Sequence, residues 1–229
     1  MNDNFKTNLE HLGIELNEEQ MEKFATYYQM LIDWNKKVNL TSILEKSEVY
    51  SKHFIDSLWL SKVADLKTQL ILDVGSGAGF PSIPLKIVFP NLKITIIDSL
   101  KKRITFLKDL AETLGIDVNL IHGRIEDFPK KNHYDIVTAR AVASLDILSE
   151  FCIPFVKKGG LFLPMKGSVL DEELAISHKA IQLMGGDLID IFSYSYNDIK
   201  RTIPIIIKNR ITPSIYPRAL AKIKKKPIR

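Results

Sequence analysis

The chain has 229 residues, 45% hydrophobic and 26% charged, and its 32 Lys and Arg outnumber 27 Asp and Glu for a formal net charge of +5. That balance excludes a disordered chain and leaves a real core, with roughly 70–75% of the unfolded surface buried on folding. No apolar run approaches the roughly 18 residues of a membrane span, and the opening MNDNFKTNLE lacks a signal peptide's apolar core, so a cytoplasmic protein with no membrane association is expected. The single Cys152 allows neither an internal disulfide nor a Cys/His metal cluster; it reads as a small buried hydrophobe, and no metal is expected.

Asn17 to Gln20 has the spacing of a capping box, which predicts a helix whose Met21, Phe24, Ala25, Tyr28, Leu31 and Ile32 form one apolar stripe. After the linker VNLTSI a second helix is predicted from about Ser47 to Asp65. His53, alone on that half-apolar helix, reads as a hydrogen-bonded packing residue rather than a ligand or base. Residues 1–66 are thus expected to form an N-terminal helical extension packed on a core domain spanning 67–211, with a tail at 212–229.

The core opens on LDVGSGAGFPSIPL, Leu72 to Leu85: a short buried strand, glycines at 75, 77 and 79, and Pro81 opening a helix. Such a loop lets a ligand approach the backbone where a Cβ would intrude, and a nucleotide-like guest suits it. A dinucleotide fingerprint from Gly75 would need a third glycine at 80, where Phe80 stands, and no Lys-Ser/Thr pair marks a Walker-type loop. The next strand ends in Asp98, about twenty residues past the loop, where a carboxylate can accept both hydroxyls of a ribose. Gly75, Gly77 and Asp98 resemble the S-adenosylmethionine site of Rossmann-like methyltransferases, with another nucleotide or a purely structural turn as alternatives.

Short apolar runs alternating with helical stretches predict strands near 69–74, 93–98, 118–122, 134–139, 160–165, 188–196 and 202–208, the last two antiparallel. This is an α/β fold: a seven-stranded, mostly parallel sheet with an antiparallel last strand. Leu100, Ile104, Leu107, Ala111 and Leu114 form a helical stripe closed by Gly115. Ligands of such sheets sit at the carboxyl ends of the strands. That singles out Ile125 and Glu126, where Ile125 can pack on an adenine face, and Arg140, before a helix that Ser144 caps. From Arg218 to Arg229 six of twelve residues are Lys or Arg, which reads as an extended basic strap for a polyanion or as a solvated end.

WNKKVNLTSI (34–43), HFIDSL (53–58), LDVGSGAGFPSIPL (72–85), IDSLKKRITFL (97–107), RIEDF (124–128), ARAVASL (139–145), MKG (165–167) and TPSIYPR (212–218) resemble, in order, blocks of the RsmG (GidB) family of bacterial 16S ribosomal RNA guanine-N7 methyltransferases. The resemblance implies a Rossmann-like class I fold and S-adenosylmethionine as cofactor. The implied partner is 16S ribosomal RNA in the small subunit or an assembly intermediate, and the enzyme is expected to be a monomer. It also implies that Gly75, Phe80, Ile125, Glu126 and Arg140 contact the cofactor or line its site, while Asp98 takes the ribose. Ser82 stands where the family often has glycine.

A guanine N7 carries a lone pair and no proton at neutral pH, so the reaction needs positioning, here assigned to Arg140, and no general base. The segment ARAVASL lacks the Asn/Asp-Pro-Pro-aromatic motif expected of an exocyclic-amine enzyme, and Cys152 sits a helix away from where a carbon-5 enzyme needs its nucleophile. Lys36, Lys37, Lys101, Lys102, Arg103, Arg140, Lys166 and the tail are candidates for a basic RNA track. The competing classes are an RNA-binding module with a degenerate cofactor site and a small-molecule methyltransferase.

Overall fold

The computed structural model describes residues 3–167, 171–196 and 199–229. Asn17 caps α2 (Glu18–Asn35) as its spacing predicts: its side chain accepts from Gln20 N–H at 2.8 Å, and its own N–H donates to Gln20 Oε1 at 3.1 Å. The buried stripe of α2 is Phe24, Tyr27 and Leu31, so Tyr27 rather than Tyr28 enters the core, and Ala25 faces outward. Periodicity alone did not separate neighbouring tyrosines; aromatic packing does. Phe24 lies 5.6 Å from Phe5 of α1 (Asp3–Leu12) and 5.0 Å from Phe54, centroid to centroid.

The single helix expected from Ser47 to Asp65 is broken into α3 (Lys46–Val49), a π-helical turn (Tyr50–Ile55), α4 (Asp56–Leu58) and a 3-10 turn (Trp59–Lys62). Five consecutive residues, Phe54 to Leu58, are buried, which no regular 3.6-residue stripe can achieve. Ser57 Oγ donates to His53 O at 2.6 Å and Ser61 Oγ to Leu58 O at 2.7 Å, competing with the backbone ladder where it changes pitch.

Seven strands follow: β1 (Leu70–Val74), β2 (Lys93–Asp98), β3 (Asn119–His122), β4 (Tyr134–Arg140), β5 (Val156–Met165), β6 (Gly186–Tyr196) and β7 (Ile199–Lys208), in sheet order β3-β2-β1-β4-β5-β7-β6. The helices α5 (Ser82–Val88), α6 (Lys101–Leu114), α7 (Leu145–Cys152), α8 (Asp171–Leu183) and α9 (Leu220–Lys225) alternate with or follow them. By its internal packing the chain divides into two compact units, one of residues 1–68 and 76–122, the other of 69–75 and 123–229.

In the first unit β2 and β3 pair in parallel, Asp98 opposite His122, and α2 packs on α5 and α6. Gln20 Nε2 reaches the α5 carbonyls of Ile87 and Val88 at 2.9 and 3.2 Å. Gly115 closes α6 in the left-handed region, as expected. The helix α5 starts one residue later than predicted, with Pro81 outside it as the flanking residue.

In the second unit β1, β4 and β5 are parallel, and β1 buries four of its five residues, as strands covered on both faces do. The last strand, β7, runs antiparallel to both its neighbours and lies between β5 and β6. The strand β5 starts four residues before its predicted beginning: Val156 pairs with Tyr134, and the register then shifts, so that Leu161 is the next residue paired, with Ile136.

Lys208 on β7 is 1% exposed, and its Nζ donates to Asn132 Oδ1, Ile153 O and Pro154 O at 2.6, 2.9 and 3.2 Å. Burial lowers its pKa from 10.5 to about 8. Between those values the unfolded chain holds a proton that the folded chain has released, so stability should rise with pH across that window, by something of the order of 2 kcal/mol. Urea titrations of the parent and Lys208→Met at a series of pH values should show the rise only in the parent; equal pH dependence would mean that Lys208 stays charged when buried.

Candidate functional site

The glycine loop is held from the N-terminal helices. Tyr27 of α2 donates its hydroxyl to Ala78 O at 2.5 Å, and the Phe80 ring, 3% exposed, stacks on Tyr27 at 5.4 Å and on His53 at 4.5 Å. His53 Nε2 is 2.9 Å from Thr41 Oγ1, which fits the packing role expected of it. Gly79 is glycine because of this support: at φ +102 a Cβ would come within 2.9 Å of Tyr27 Oη and 2.6 Å of Ile83. Tyr27 is the residue that sequence reasoning missed, since its neighbour Tyr28 fits the stripe equally well.

The same loop meets a carboxylate at the end of β2. Asp98 is 2% exposed; Oδ1 accepts from Leu100 N–H at 2.9 Å, and Oδ2 accepts from Gly77 N–H at 3.3 Å and from Arg103 Nη1 at 3.4 Å. One oxygen is therefore firmly held while the other keeps long, weak bonds and spare accepting capacity. Gly77, at φ +62, has no atom within 4 Å of where a Cβ would point. Beside it Ser76 Oγ is buried with no hydrogen-bond partner among the described residues. A buried carboxylate with a loosely held oxygen, open space above a glycine and an unsatisfied hydroxyl are what a hydroxyl-bearing nucleoside ligand would need.

In the second unit Gly75 ends β1 at φ +73, and a Cβ there would meet Val142 at 2.9 Å. Asp73 lies opposite Thr138 in the β1–β4 register, and Arg140, half-buried, ends β4 opposite Met165 of β5. The next residue, Ala141, sits at φ +56, a conformation that costs a non-glycine residue energy and that clusters at functional sites. The loop is pinned beyond it: Lys166 Nζ donates to Ala143 O at 3.0 Å and to Glu173 Oε1 at 2.9 Å, and Leu145 N–H donates to the same carboxylate oxygen at 3.2 Å. Lys166 thus serves this loop and is withdrawn from the basic track expected of it. Ser144 flanks α7 with its hydroxyl on Asp146 rather than on a backbone amide, so the side-chain cap expected of it does not form.

Ile125, 6% exposed, and Glu126 lie in a 3-10 turn (Ile125–Asp127) after β3. Glu126 Oε1 accepts from Leu220 N–H at 3.3 Å and lies 3.7 Å from Arg124 Nη1. Cys152 is fully buried, and burial, helped by the Asp73 charge, pushes its thiol well above the ordinary range. It packs as an inert core residue. Among the described residues no helix is long and apolar enough to cross a membrane.

A family model described as rRNA small subunit methyltransferase G (GidB) matches residues 20–201. The chain belongs to this family. Its kinship with methyltransferase G proteins runs nearly end to end. A ribosomal RNA small subunit methyltransferase G from Listeria welshimeri is 50% identical over 232 residues, covering 98% of both chains. One from Staphylococcus saprophyticus is 52% identical over 223 residues, covering 94% of this chain and 93% of that one. Among solved structures, the YcgJ protein of Bacillus subtilis superposes with a TM-score of 0.55 at 15% identity, over 69% of this chain and all of that one. A candidate methyltransferase from Bacillus halodurans gives 0.52 at 16%, over 68% and 99%. At such identities the likeness is one of fold, and it fits the Rossmann-like, mostly parallel sheet expected of the methyltransferase G family.

Proposed function

We propose that the chain transfers a methyl group from S-adenosylmethionine to N7 of a guanine in the decoding-region loop of bacterial 16S ribosomal RNA, by in-line attack without a general base. The observation that carries this reading is the near-full-length relationship to small-subunit rRNA methyltransferases, at about half identity. The cofactor brings an electrophilic sulfonium methyl. Asp98 Oδ2, held only by long bonds, accepts from the ribose, and Gly77 with Ser76 leaves the loop open to the ligand. Gly75, Phe80, Ile125, Glu126 and Arg140 contact the cofactor or line its site, and Arg140 positions the reacting pair. The protein works in the cytoplasm as a monomer, on RNA in the small subunit or an assembly intermediate.

Base-free attack is supported by what the potential proton carriers do. His53 is engaged by Thr41 and stacked on Phe80, and His122 Nε2 lies 3.2 Å from Ser99 O. Cys152 is buried and disfavoured as a thiolate, which counts against covalent pyrimidine chemistry.

Incubation with labelled S-adenosylmethionine and small subunits from cells lacking the protein should place one 7-methylguanosine in the 16S RNA. Label on an exocyclic amine, or transfer without ribosomal RNA, would overturn the assignment. Asp98→Ala should weaken S-adenosylmethionine binding by about 1.5–3 kcal/mol by removing charged hydrogen bonds. Calorimetry with Asp98→Asn alongside, which retains an acceptor for Leu100 N–H, separates ligand loss from loop damage; parental affinity in both variants would remove Asp98 from the site.

A further inference from the structure

We propose that the C-terminal tail is a fixed cationic platform for ribosomal RNA phosphates, in which Arg218 and Arg229 are anchors and Lys222, Lys224, Lys225 and Lys226 are the contacts. The proposal rests on the RNA reading above, but it divides six like-charged residues into two roles. Arg218 grips Glu150 of α7 with Nε on Oε1 at 2.8 Å and Nη2 on Oε2 at 2.6 Å, and its backbone N–H adds 2.9 Å to Oε1. Arg229 Nε reaches Asp146, also on α7, at 2.9 Å. Glu150 and Asp146 are both 1% exposed, so each arginine is tied to a buried carboxylate, Arg218 by its whole fork and Arg229 through Nε.

Between the anchors, Ile223 is fully buried, and Arg218 Nη2, two residues before α9, donates at 3.1 Å to the carbonyl of Lys226, the residue just past its end. A helix of six residues does not hold itself together in water. This one also carries Lys222 spaced i,i+3 from Lys225, where like charges repel, and runs straight on into Lys226. All four lysines are exposed, and none forms an ion pair among the described residues. The fold therefore uses two ion pairs to buried carboxylates and a core isoleucine to hold a self-repelling cluster at the surface. A polyanion relieves that repulsion and gains a surface already ordered. A lipid surface fits less well, because the buried side chain of α9 is Ile223 and it points inward.

Deleting the tail would uncover Glu150 and Asp146, so the test keeps the backbone and changes charge. In a variant with all four lysines changed to Gln, binding to a 16S rRNA transcript, measured over salt from about 50 to about 200 mM, should lose about 0.7 in log–log slope for each contact removed. A control with Lys6, Lys62, Lys67 and Lys108 changed to Gln loses the same charge and should keep the parental slope. Equal slopes in the two variants, or a parental slope in the first, would overturn the proposal. Arg229→Gln frees the end of the tail but keeps the lysines, and should weaken binding about 2–10-fold with little change in slope; parental affinity would show that the platform need not be fixed. S-adenosylmethionine affinity should stay parental in all three. Its loss would indict the fold or the methyltransferase reading rather than the platform.

Discussion

Arg218→Met should destabilise the chain by about 3 kcal/mol, because it strands the Glu150 carboxylate where water does not reach it. The loss should be asymmetric. Glu150→Gln leaves the guanidinium on the partly exposed side of the pair, 23% open to solvent, where water replaces the lost partner, so it should cost no more than about 1–2 kcal/mol. The backbone N–H of Arg218 still reaches Glu150 in the Met variant, which keeps the estimate at the low end for a broken buried pair. Chemical denaturation of both variants decides the matter; equal losses would mean that the carboxylate, not the arginine, is the group that can find water. The neighbouring pair adds a pH signature. Burial pushes the Asp146 carboxyl up, but the Ser144 hydroxyl, Arg229 and the Ile147 amide outweigh it and hold the carboxyl below its ordinary value. Its contribution is thus complete above the unfolded-state pKa and is lost as pH falls through the lower folded value. Arg229→Gln should blunt that acid sensitivity.

Arg140→Ala is expected to lower single-turnover methyl transfer by about 10–10³-fold, since the side chain is proposed to position the reacting pair. If N7 attacks without giving up or taking a proton, parent and variant should both keep a flat rate between about pH 6 and 9 at saturating RNA and cofactor. A limb near pH 6.5 in the chemical step would point to His53 or His122 and would overturn both the base-free mechanism and the choice of N7. Arg140 is followed by Ala141 at positive φ, and Lys166→Met, which removes the bond to Ala143 O, provides a comparison in which the arginine remains but its loop is loosened.

The strand pattern, the glycine loop and the Asn17 cap were legible because each is a local rule: apolar runs, residues that tolerate positive φ, and a side chain three residues from its amide. The sequence order of the strands also exposed the antiparallel hairpin at the end. What local rules could not show was anything that depends on where a side chain meets a distant element. Tyr27 and Tyr28 are equivalent to a helical period, yet Tyr27 alone supports Ala78. The break in the Ser47–Asp65 helix reflects five consecutive buried residues, which only the surrounding core demands. The tail arginines looked like the tail lysines, because charge alone does not reveal that Glu150 and Asp146 wait for them on α7.

The position of β7 has a consequence for how the chain is made. β5 and β6 leave the ribosome before the strand that must lie between them, so until residue 208 has emerged the edge of β5 faces no partner and β6 has nothing to pair with. A nascent chain in that interval presents two open edges, the kind of surface that recruits strands from other molecules. Arrest of synthesis between β6 and β7 should therefore give a product that aggregates or is held by chaperones. Release after β7 closes both edges in a single insertion.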